Sequence, residues 1–299
     1  MRETSRGILG VMQAKADPGQ HTEPRRIKII RAPSFSLRAL AADVADLAHY
    51  RDLLYTLTLH RINVRYKQSV LGWAWALLQP LALMAIYTVI FSLVTRIPTN
   101  GTPYAVFVYA ALLPWTFFAT SITNSAGGFL AHTQLITKVY FPREIIPITY
   151  VFAALFDLLI AAAVLAGMMI WYRIPLTPHA LFAIPVLMVE LIFASGLSVL
   201  LAALQVRFRD VGLAIPLVIQ VWMFATPVVY PLSAVPARFR SVYIMNPMTG
   251  IVENFRRAVI EGIGPDLASF WYSVGIAALL FPLAFLFFKN REATMADVI

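Results

Sequence analysis

Apolar and charged positions divide the chain into a polar beginning, long uncharged runs and short charged connections. Residues 70–94 contain no charged side chain. A helix of this length, at about 1.5 Å per residue, can cross a hydrocarbon core of about 30 Å. Five more apolar runs follow, and together they predict an all-α polytopic membrane protein with six transmembrane helices. The predicted spans are residues 70–94, 105–130, 148–172, 181–205, 213–230 and 267–288.

The segment before the first span, residues 46–69, is predicted to be an amphipathic interface helix. Its apolar residues recur at i, i+3, i+7 and i+10, which places them on one helical face, with basic residues between them. The apolar residues are Leu47, Tyr50, Leu54 and Leu57, and the basic residues are Arg51, Arg61, Arg65 and Lys67. Such a helix is favoured at the anionic cytoplasmic surface of a membrane. The alternative is an ordinary solvated helix, and no turn signal separates the segment from the first span.

Between the fifth and sixth spans, residues 231–266 are too polar and too rich in proline for another full span. A helical period still separates apolar from charged positions within this region. The apolar face is Ile251, Phe255 and Val259, and the charged face is Glu253, Arg257 and Glu261. We therefore expect short helices that are re-entrant or lie at the membrane interface.

Composition excludes a soluble globular domain, because 60% of the residues are hydrophobic and only 13% are charged. The formal net charge of +9 arises from basic residues in the polar beginning and beside the spans. We attribute this charge to membrane topology and expect no nucleic-acid partner. Residues 1–45 are expected to form a mostly disordered cytoplasmic tail and residues 289–299 a short cytoplasmic tail. The distribution of basic residues around the spans favours cytoplasmic termini.

Signatures of catalysis are missing from the sequence. The five histidines are scattered without an HExxH spacing, there is no GxSxG motif, and the chain contains no cysteine. No glycine is followed by lysine, so the GxxxxGK[ST] phosphate-binding loop is absent. We expect no metal, no cofactor and no enzymatic activity in this chain; if ATP is used, another chain binds it.

Two carboxylates lie well inside predicted spans, Asp157 and Glu190. An ionisable group in hydrocarbon is costly unless it faces water or a partner, so each is a functional candidate. One interpretation is a proton relay, as in a secondary transporter. The other is that each accepts hydrogen bonds within the helix bundle or lies nearer to an interface than the span boundaries suggest.

Four sequence blocks between the spans carry a family resemblance. They are RYKQSVLGWAWALLQPL at 65–81, LITKVYFPREIIP at 135–147, VRFRD at 206–210 and NPMTGIVENFRRAVIEG at 246–262. In this order they resemble the permease subunit of bacterial type 2 ABC exporters for O-antigen, capsule or teichoic acid. The resemblance covers about residues 47–289.

The resemblance implies a dimer of permeases in the bacterial inner membrane, paired with two copies of a nucleotide-binding subunit that holds ATP and Mg²⁺. The substrate would be a lipid-linked polysaccharide, surrounded by membrane lipids. It also implies that a segment between spans two and three docks on the ATPase, with apolar anchors in a groove and charges that set the register. This coupling segment contains Lys138, Tyr140, Phe141, Pro142, Arg143 and Glu144. The alternative is that PRE at 142–144 is an ordinary solvated helix start, with Glu144 favourably placed in the first turn. The helix over residues 51–67 is a second expected contact.

A path for sugars needs aromatic platforms, because sugars present apolar CH faces beside many hydroxyl groups. The candidates are Tyr87, Phe91, Trp115, Phe118, Trp222, Phe224 and Tyr230. The alternative for any one of them is core packing or an interfacial aromatic belt.

Two other functions remain open from the sequence. The first is a type 2 ABC exporter of drugs or small lipids, which has the same architecture. The second is a proton-coupled secondary transporter that uses the two carboxylates within the spans. Inverted repeats would favour the second, and no convincing repeat is present.

Overall fold

A computed structural model of the protein describes residues 47–67, 69–72, 74–94, 101–132, 134–135 and 141–298. Every regular element within these residues is helical, as expected for an all-α protein. The α-helices are α1 (Arg51–Lys67), α2 (Ala74–Thr88), α3 (Tyr104–Ala131), α4 (Ile145–Trp171), α5 (Ala183–Arg207), α6 (Asp210–Phe224), α7 (Ala237–Ile244), α8 (Pro247–Arg256) and α9 (Leu267–Val298). A π-helical segment, Val89–Val94, continues α2, and another, Arg257–Glu261, continues α8. The predicted tail at residues 1–45 lies outside the described residues.

Five helical segments within the described residues are long and apolar enough to cross a membrane. They are Ala74–Phe91, Tyr104–Ala131, Ile145–Trp171, Pro178–Arg207 and Leu267–Glu292. Helix α6 has 15 residues, or about 22 Å, which is shorter than a hydrocarbon core of about 30 Å. The predicted fifth span, residues 213–230, is helical only to Phe224. The count of six spans therefore stays a prediction.

The boundary between α1 and the first span differs from the prediction. The chain turns over residues 69–72 before α2 begins at Ala74. Gly72 has a φ of 49°, a left-handed conformation that glycine adopts without the steric cost of a Cβ atom. This glycine lies in the turn that separates α1 from α2, although the sequence around it contains no proline or asparagine to mark a turn.

The end of the chain also differs from the prediction, because α9 continues past residue 288 to Val298. The predicted C-terminal tail at 289–299 is thus largely an extension of the last helix. Lys289 and Glu292 lie on this extension and are 3.2 Å apart, an i, i+3 pair that stabilises a helix.

Helix α3 is the centre of the bundle. Its residues from Val108 to Leu113 have no exposed surface, because α2, α4, α5 and α8 pack around it. Helices α5 and α9 form the most extensive pair. Gly196 on α5 permits this approach, since a Cβ atom there would lie 2.9 Å from the Cα atom of Phe281.

A second hydrophobic cluster forms where α1 meets the last turns of α3, α5 and the apolar part of α9, together with the start of α4. Phe129, Phe141, Val206 and Phe288 are buried in it. The predicted apolar face of α1, with Leu47, Tyr50, Leu54 and Leu57, packs against this cluster. The four apolar residues therefore lie on the side of this segment that faces the bundle, whereas its position at the membrane interface stays a prediction. We call this end of the bundle the α1 end.

The other end of the bundle holds α7, α8 and the irregular segment after α6. Val228 and Val229 in this segment are buried, and the Tyr104 hydroxyl donates a 2.7 Å hydrogen bond to the Val229 carbonyl oxygen. Short helices between the last two predicted spans are present as expected: α7 lies at the surface, whereas most of α8 is buried. We call this end the α8 end.

Candidate functional site

Helix α1 lies along the first half of α4. The Arg61 guanidinium is 4.4 Å from the centre of the Tyr150 ring, and farther along both helices Tyr66 donates a hydrogen bond to Asp157. Because these contacts advance in the same direction on both helices, α1 runs beside α4 and does not cross it.

Asp157 accepts from two side chains of α1. Arg65 forms an ion pair with one carboxylate oxygen, and the Tyr66 hydroxyl donates to the other, each at 2.5 Å. Burial and the neighbouring Asp157 carboxylate raise the pKa of Tyr66, so its hydroxyl keeps the proton that it donates. Of the two interpretations left open by the sequence, hydrogen bonding within the bundle is the one observed for Asp157.

Glu190 is different. It has no exposed surface, and neither carboxylate oxygen has a hydrogen-bond partner among the described residues. A buried carboxylate without partners is strongly disfavoured relative to the neutral acid. The choice between a structural and a functional role for Glu190 therefore stays open.

The coupling segment is described from Phe141 onward, whereas Lys138 and Tyr140 lie outside the described residues. Phe141 is only 4% exposed, because it packs in the cluster at the α1 end. The predicted role of Phe141 as an apolar anchor in a groove of the ATPase stays a prediction. The Phe141 ring holds the segment to this chain's own core. Pro142 and Arg143 keep part of their surface exposed.

Charged contacts tie the same segment to the last helix. The Lys289 ammonium is 2.7 Å from a carboxylate oxygen of Glu144, which is 1% exposed. Arg143 donates to the backbone carbonyl of Glu292 at 2.6 Å. Burial raises the pKa of Glu144, and the Lys289 charge opposes that shift. The start of α4 and the α1 end of α9 are therefore held together by one ion pair and one charged hydrogen bond.

At the α8 end, α9 holds α8. The Asn254 side chain donates to the Ser269 hydroxyl at 3.1 Å, and the Ser273 hydroxyl donates to the Pro247 carbonyl at 2.8 Å. Gly250 lies against α9 so closely that a Cβ atom would be 2.4 Å from the Ser269 carbonyl oxygen. Helix α8 is thus attached to the first turns of α9.

Arg256 is the largest side chain with no exposed surface in the described residues. It pairs with Glu253, donates to the Pro227 carbonyl at 3.3 Å, and lies 4.0 Å from the centre of the Phe107 ring. These contacts join α8 to the segment after α6 and to α3. Burial of the guanidinium is acceptable because a carboxylate, a carbonyl and an aromatic face surround it.

The candidate path aromatics fall into buried and accessible groups. Trp115 and Phe118 are 3% and 0% exposed, and Phe118 stacks on Phe193 with ring centres 5.4 Å apart. These two residues belong to the core of a single chain and offer no surface to a sugar in this conformation, so their place in a path stays a prediction. Trp222 packs edge-on to Phe118, and its indole N–H donates to Asn246 at 3.0 Å.

The remaining candidates keep accessible surface. Tyr87 and Phe91 are partly exposed and continue into the buried ring of Tyr104, with successive ring centres 6.2 and 6.3 Å apart. Phe224 is 50% exposed. Tyr230 donates to the Phe224 carbonyl at 2.6 Å and lies 3.0 Å from the Tyr243 hydroxyl. These residues are the predicted path aromatics that keep accessible surface in a single chain.

Sequence reasoning missed Arg256, Asn254 and Tyr66 as organising residues. The helical period places Arg257 on the charged face, but it does not predict that the neighbouring Arg256 has no exposed surface, since arginine is almost never fully buried unless it is paired. Tyr66 had a usable signal: it lies four residues after Ile62 on the face that packs against α4.

Residues 52–260, more than half of the chain, match the sequence family of ABC-2 type transporters. This chain belongs to the ABC-2 type transporter family. The match begins inside α1 and ends in the π-helical continuation of α8, so it contains the contacts described at the start of α4. As an ABC-2 type transporter chain with several membrane-length helices, it is a multi-pass membrane protein.

Named relatives agree with this assignment. An O-antigen export system permease protein RfbA from Myxococcus xanthus is 30% identical over 258 residues, which cover 86% of this chain and 98% of that protein. One of the same name from Klebsiella pneumoniae is 35% identical over 167 residues, covering 56% of this chain. The aligned part is 64% of that Klebsiella relative's length, and a second Klebsiella relative gives the same values.

Proposed function

We propose that this chain is the membrane-spanning subunit of an ABC exporter that moves a lipid-linked polysaccharide across the bacterial inner membrane. The observation that carries the proposal is the ABC-2 family match, together with O-antigen export permeases as relatives, one of them aligned over nearly its whole length. The geometry at the α1 end supplies a physical means of coupling. The chain itself is a transport subunit and performs no hydrolysis.

A separate ATPase would supply the energy, because the sequence lacks a phosphate-binding loop. We place its docking surface at the α1 end, where the described part of the coupling segment and the exposed basic residue Arg51 lie. Lys138 and Tyr140 are the side chains of the segment that we assign to contact with the ATPase. Phe141 and Glu144 instead attach the segment to the bundle, so that motion of the segment is passed to the chain.

Helix α9 provides a direct mechanical connection between the ends of the bundle. Its Lys289 pairs with Glu144 at the α1 end, and its Ser269 bonds Asn254 at the α8 end. The two residues are 20 positions apart, which is about 30 Å along a helix at 1.5 Å per residue. We infer that displacement of the coupling segment shifts α9 and thereby moves α8. Movement of α8 would open or close the substrate path at the α8 end.

The complete exporter would contain two copies of this chain and two ATPases, with both termini in the cytoplasm. The path would form between the two copies, and the accessible aromatics Tyr87, Phe91, Trp222, Phe224 and Tyr230 are its candidate lining. Aromatic rings bind the CH faces of sugars without requiring charge complementarity.

The two alternative functions have less in their favour. Asp157 is already paired, so a proton relay through it has no support. A drug exporter has no observation in its favour.

The test is reconstitution of the chain and its ATPase in liposomes that carry the lipid-linked glycan from the native membrane. We expect ATP-dependent arrival of glycan on the opposite leaflet, detected by a lectin or antibody, and no arrival without ATP. Glycan transfer that requires a proton gradient and ignores ATP would overturn the proposal. Transfer of small lipids with no transfer of glycan would instead support the exporter of small lipids.

A further inference from the structure

A cavity of about 250 Å³ lies between α1 and the adjoining ends of α3 and α4. Its polar lining consists of His60, Arg61, His132, Thr149 and Tyr150, and its apolar lining includes Leu57, Val64 and Ile146. A smaller cavity of about 110 Å³ shares Arg61 and Tyr150 with it and adds Arg65 and Asn124. The two cavities form a polar recess beneath α1.

The charge in this recess is unbalanced. Among the described residues, no aspartate or glutamate lines the larger cavity and no ion pair involves Arg61. The Arg61 guanidinium lies over the Tyr150 ring. Asp157 lines the smaller cavity, but Arg65 and Tyr66 already engage both of its oxygens. Within the described part of the chain, the Arg61 guanidinium therefore faces the cavity without a carboxylate partner.

The groups next to Arg61 also suit an anionic ligand. His132 donates from Nδ1 to the Gly128 carbonyl oxygen at 2.8 Å, which leaves Nε2 for another partner. The Arg61 guanidinium and the Tyr150 hydroxyl are donors of the kind that recognise phosphate, and the planar guanidinium can bind two phosphate oxygens at once.

We propose that this recess binds the phosphate group of a membrane lipid. The volume is below the range of about 300–1,000 Å³ that holds drug-sized ligands, so it suits a headgroup and excludes a polysaccharide segment. The apolar residues Leu57, Val64 and Ile146 at the lining provide a surface for the first part of an acyl or polyprenyl chain. The phosphate can belong to a resident anionic phospholipid or to a polyprenyl phosphate. The proposal does not depend on which glycan is exported.

The test is lipid binding to the purified full-length chain, measured by native mass spectrometry in detergent without ATP. The probes are phosphatidylglycerol, undecaprenyl phosphate and diacylglycerol, which has no phosphate. We expect Arg61→Gln to weaken binding of a phosphate-bearing lipid by about tenfold or more, since a hydrogen bond to a charged group contributes about 1.5–3 kcal/mol. Arg207→Gln is the matched control, because Arg207 is exposed near the same end and does not line the recess.

Arg61→Lys keeps the charge but loses the planar guanidinium. We expect its affinity for the phosphate-bearing lipid to lie between those of wild type and Arg61→Gln. If the glutamine variant folds poorly, the lysine variant alone must still bind more weakly than wild type. Selectivity for phosphatidylglycerol would identify a resident phospholipid, and selectivity for undecaprenyl phosphate a carrier lipid; both results support the site. Equal binding of diacylglycerol, or equal losses in Arg61→Gln and Arg207→Gln, would overturn it. Because ATP and the ATPase are absent, either result is independent of the proposed transport function.

Discussion

The contact between Glu144 and Lys289 offers the sharpest quantitative test of how the coupling segment is attached. We consider Glu144→Gln, Lys289→Met and the double variant. Each single change removes one partner of a pair whose atoms are 2.7 Å apart and whose carboxylate side chain is 1% exposed. The double change replaces the pair with neutral groups of similar length.

The structure predicts unequal costs for the two single variants. Lys289→Met leaves the Glu144 carboxylate buried without a cation, a situation that costs about 3–5 kcal/mol when the site is dry. Glu144→Gln leaves Lys289 beside Glu292 at 3.2 Å, so its cost is expected to be about 1–2 kcal/mol. The double variant leaves no buried charge at position 144 and should lie within about 1–2 kcal/mol of wild type. The two single costs sum to about 4–7 kcal/mol, so the coupling energy between the two sites is at least about 2 kcal/mol.

Thermal unfolding of the purified chain in a mild detergent, read from intrinsic tryptophan fluorescence, ranks the four proteins. Stimulation of the partner ATPase measures the functional consequence on the same samples. We expect Lys289→Met to melt lowest, the double variant to recover most of the loss, and ATPase stimulation to fall in every variant that loosens the segment. The exposed Arg207→Gln serves as a charge-matched control. Strictly additive effects of the two single changes would refute the reasoning, since independent sites do not share an ion pair.

Three further predictions follow from single contacts. Phe141→Ala should destabilise the chain by about 3–5 kcal/mol through the cavity that it leaves, whereas Phe141→Leu should lose much less, both by thermal unfolding. Asp157→Asn should retain ATP-dependent export, because its oxygen still accepts from α1 and no proton relay is needed; loss of export in a folded variant would contradict this. Burial and the nearby Glu253 raise the pKa of Glu261, so Glu261→Gln should be more stable than wild type at neutral pH. That advantage should shrink as the pH falls through the raised pKa of Glu261 towards its unfolded value; an advantage independent of pH would contradict it.

The helical period predicted the parts of the fold that depend on local sequence. The apolar face of α1 and the buried face of α8, with Ile251 and Phe255, follow from residues three and four apart. Uncharged runs predicted the long helices because spanning a membrane requires length and apolar character together. These features need no knowledge of what packs against them.

Tertiary contacts decided the features that the sequence did not predict. Phe141 resembles an exposed anchor in its loop, but Phe129 and Phe288, distant in sequence, cover it. Helix α6 stops at Phe224, and the following residues bend into the interior. There Arg256 donates a hydrogen bond to the Pro227 carbonyl oxygen, and Tyr104 donates one to the Val229 carbonyl oxygen. Contacts between residues so far apart in sequence have no local pattern, so neither outcome could be read from the period.

The measurement that tests the central claim most directly is quantitative mass spectrometry of proteins that co-purify with the tagged full-length chain from its native membrane. The account predicts a soluble ATPase with a phosphate-binding loop, in an amount equal to that of this chain. A cysteine placed in the segment 136–140 of this naturally cysteine-free chain should also cross-link to it. Purification under mild conditions with no such ATPase would contradict the account.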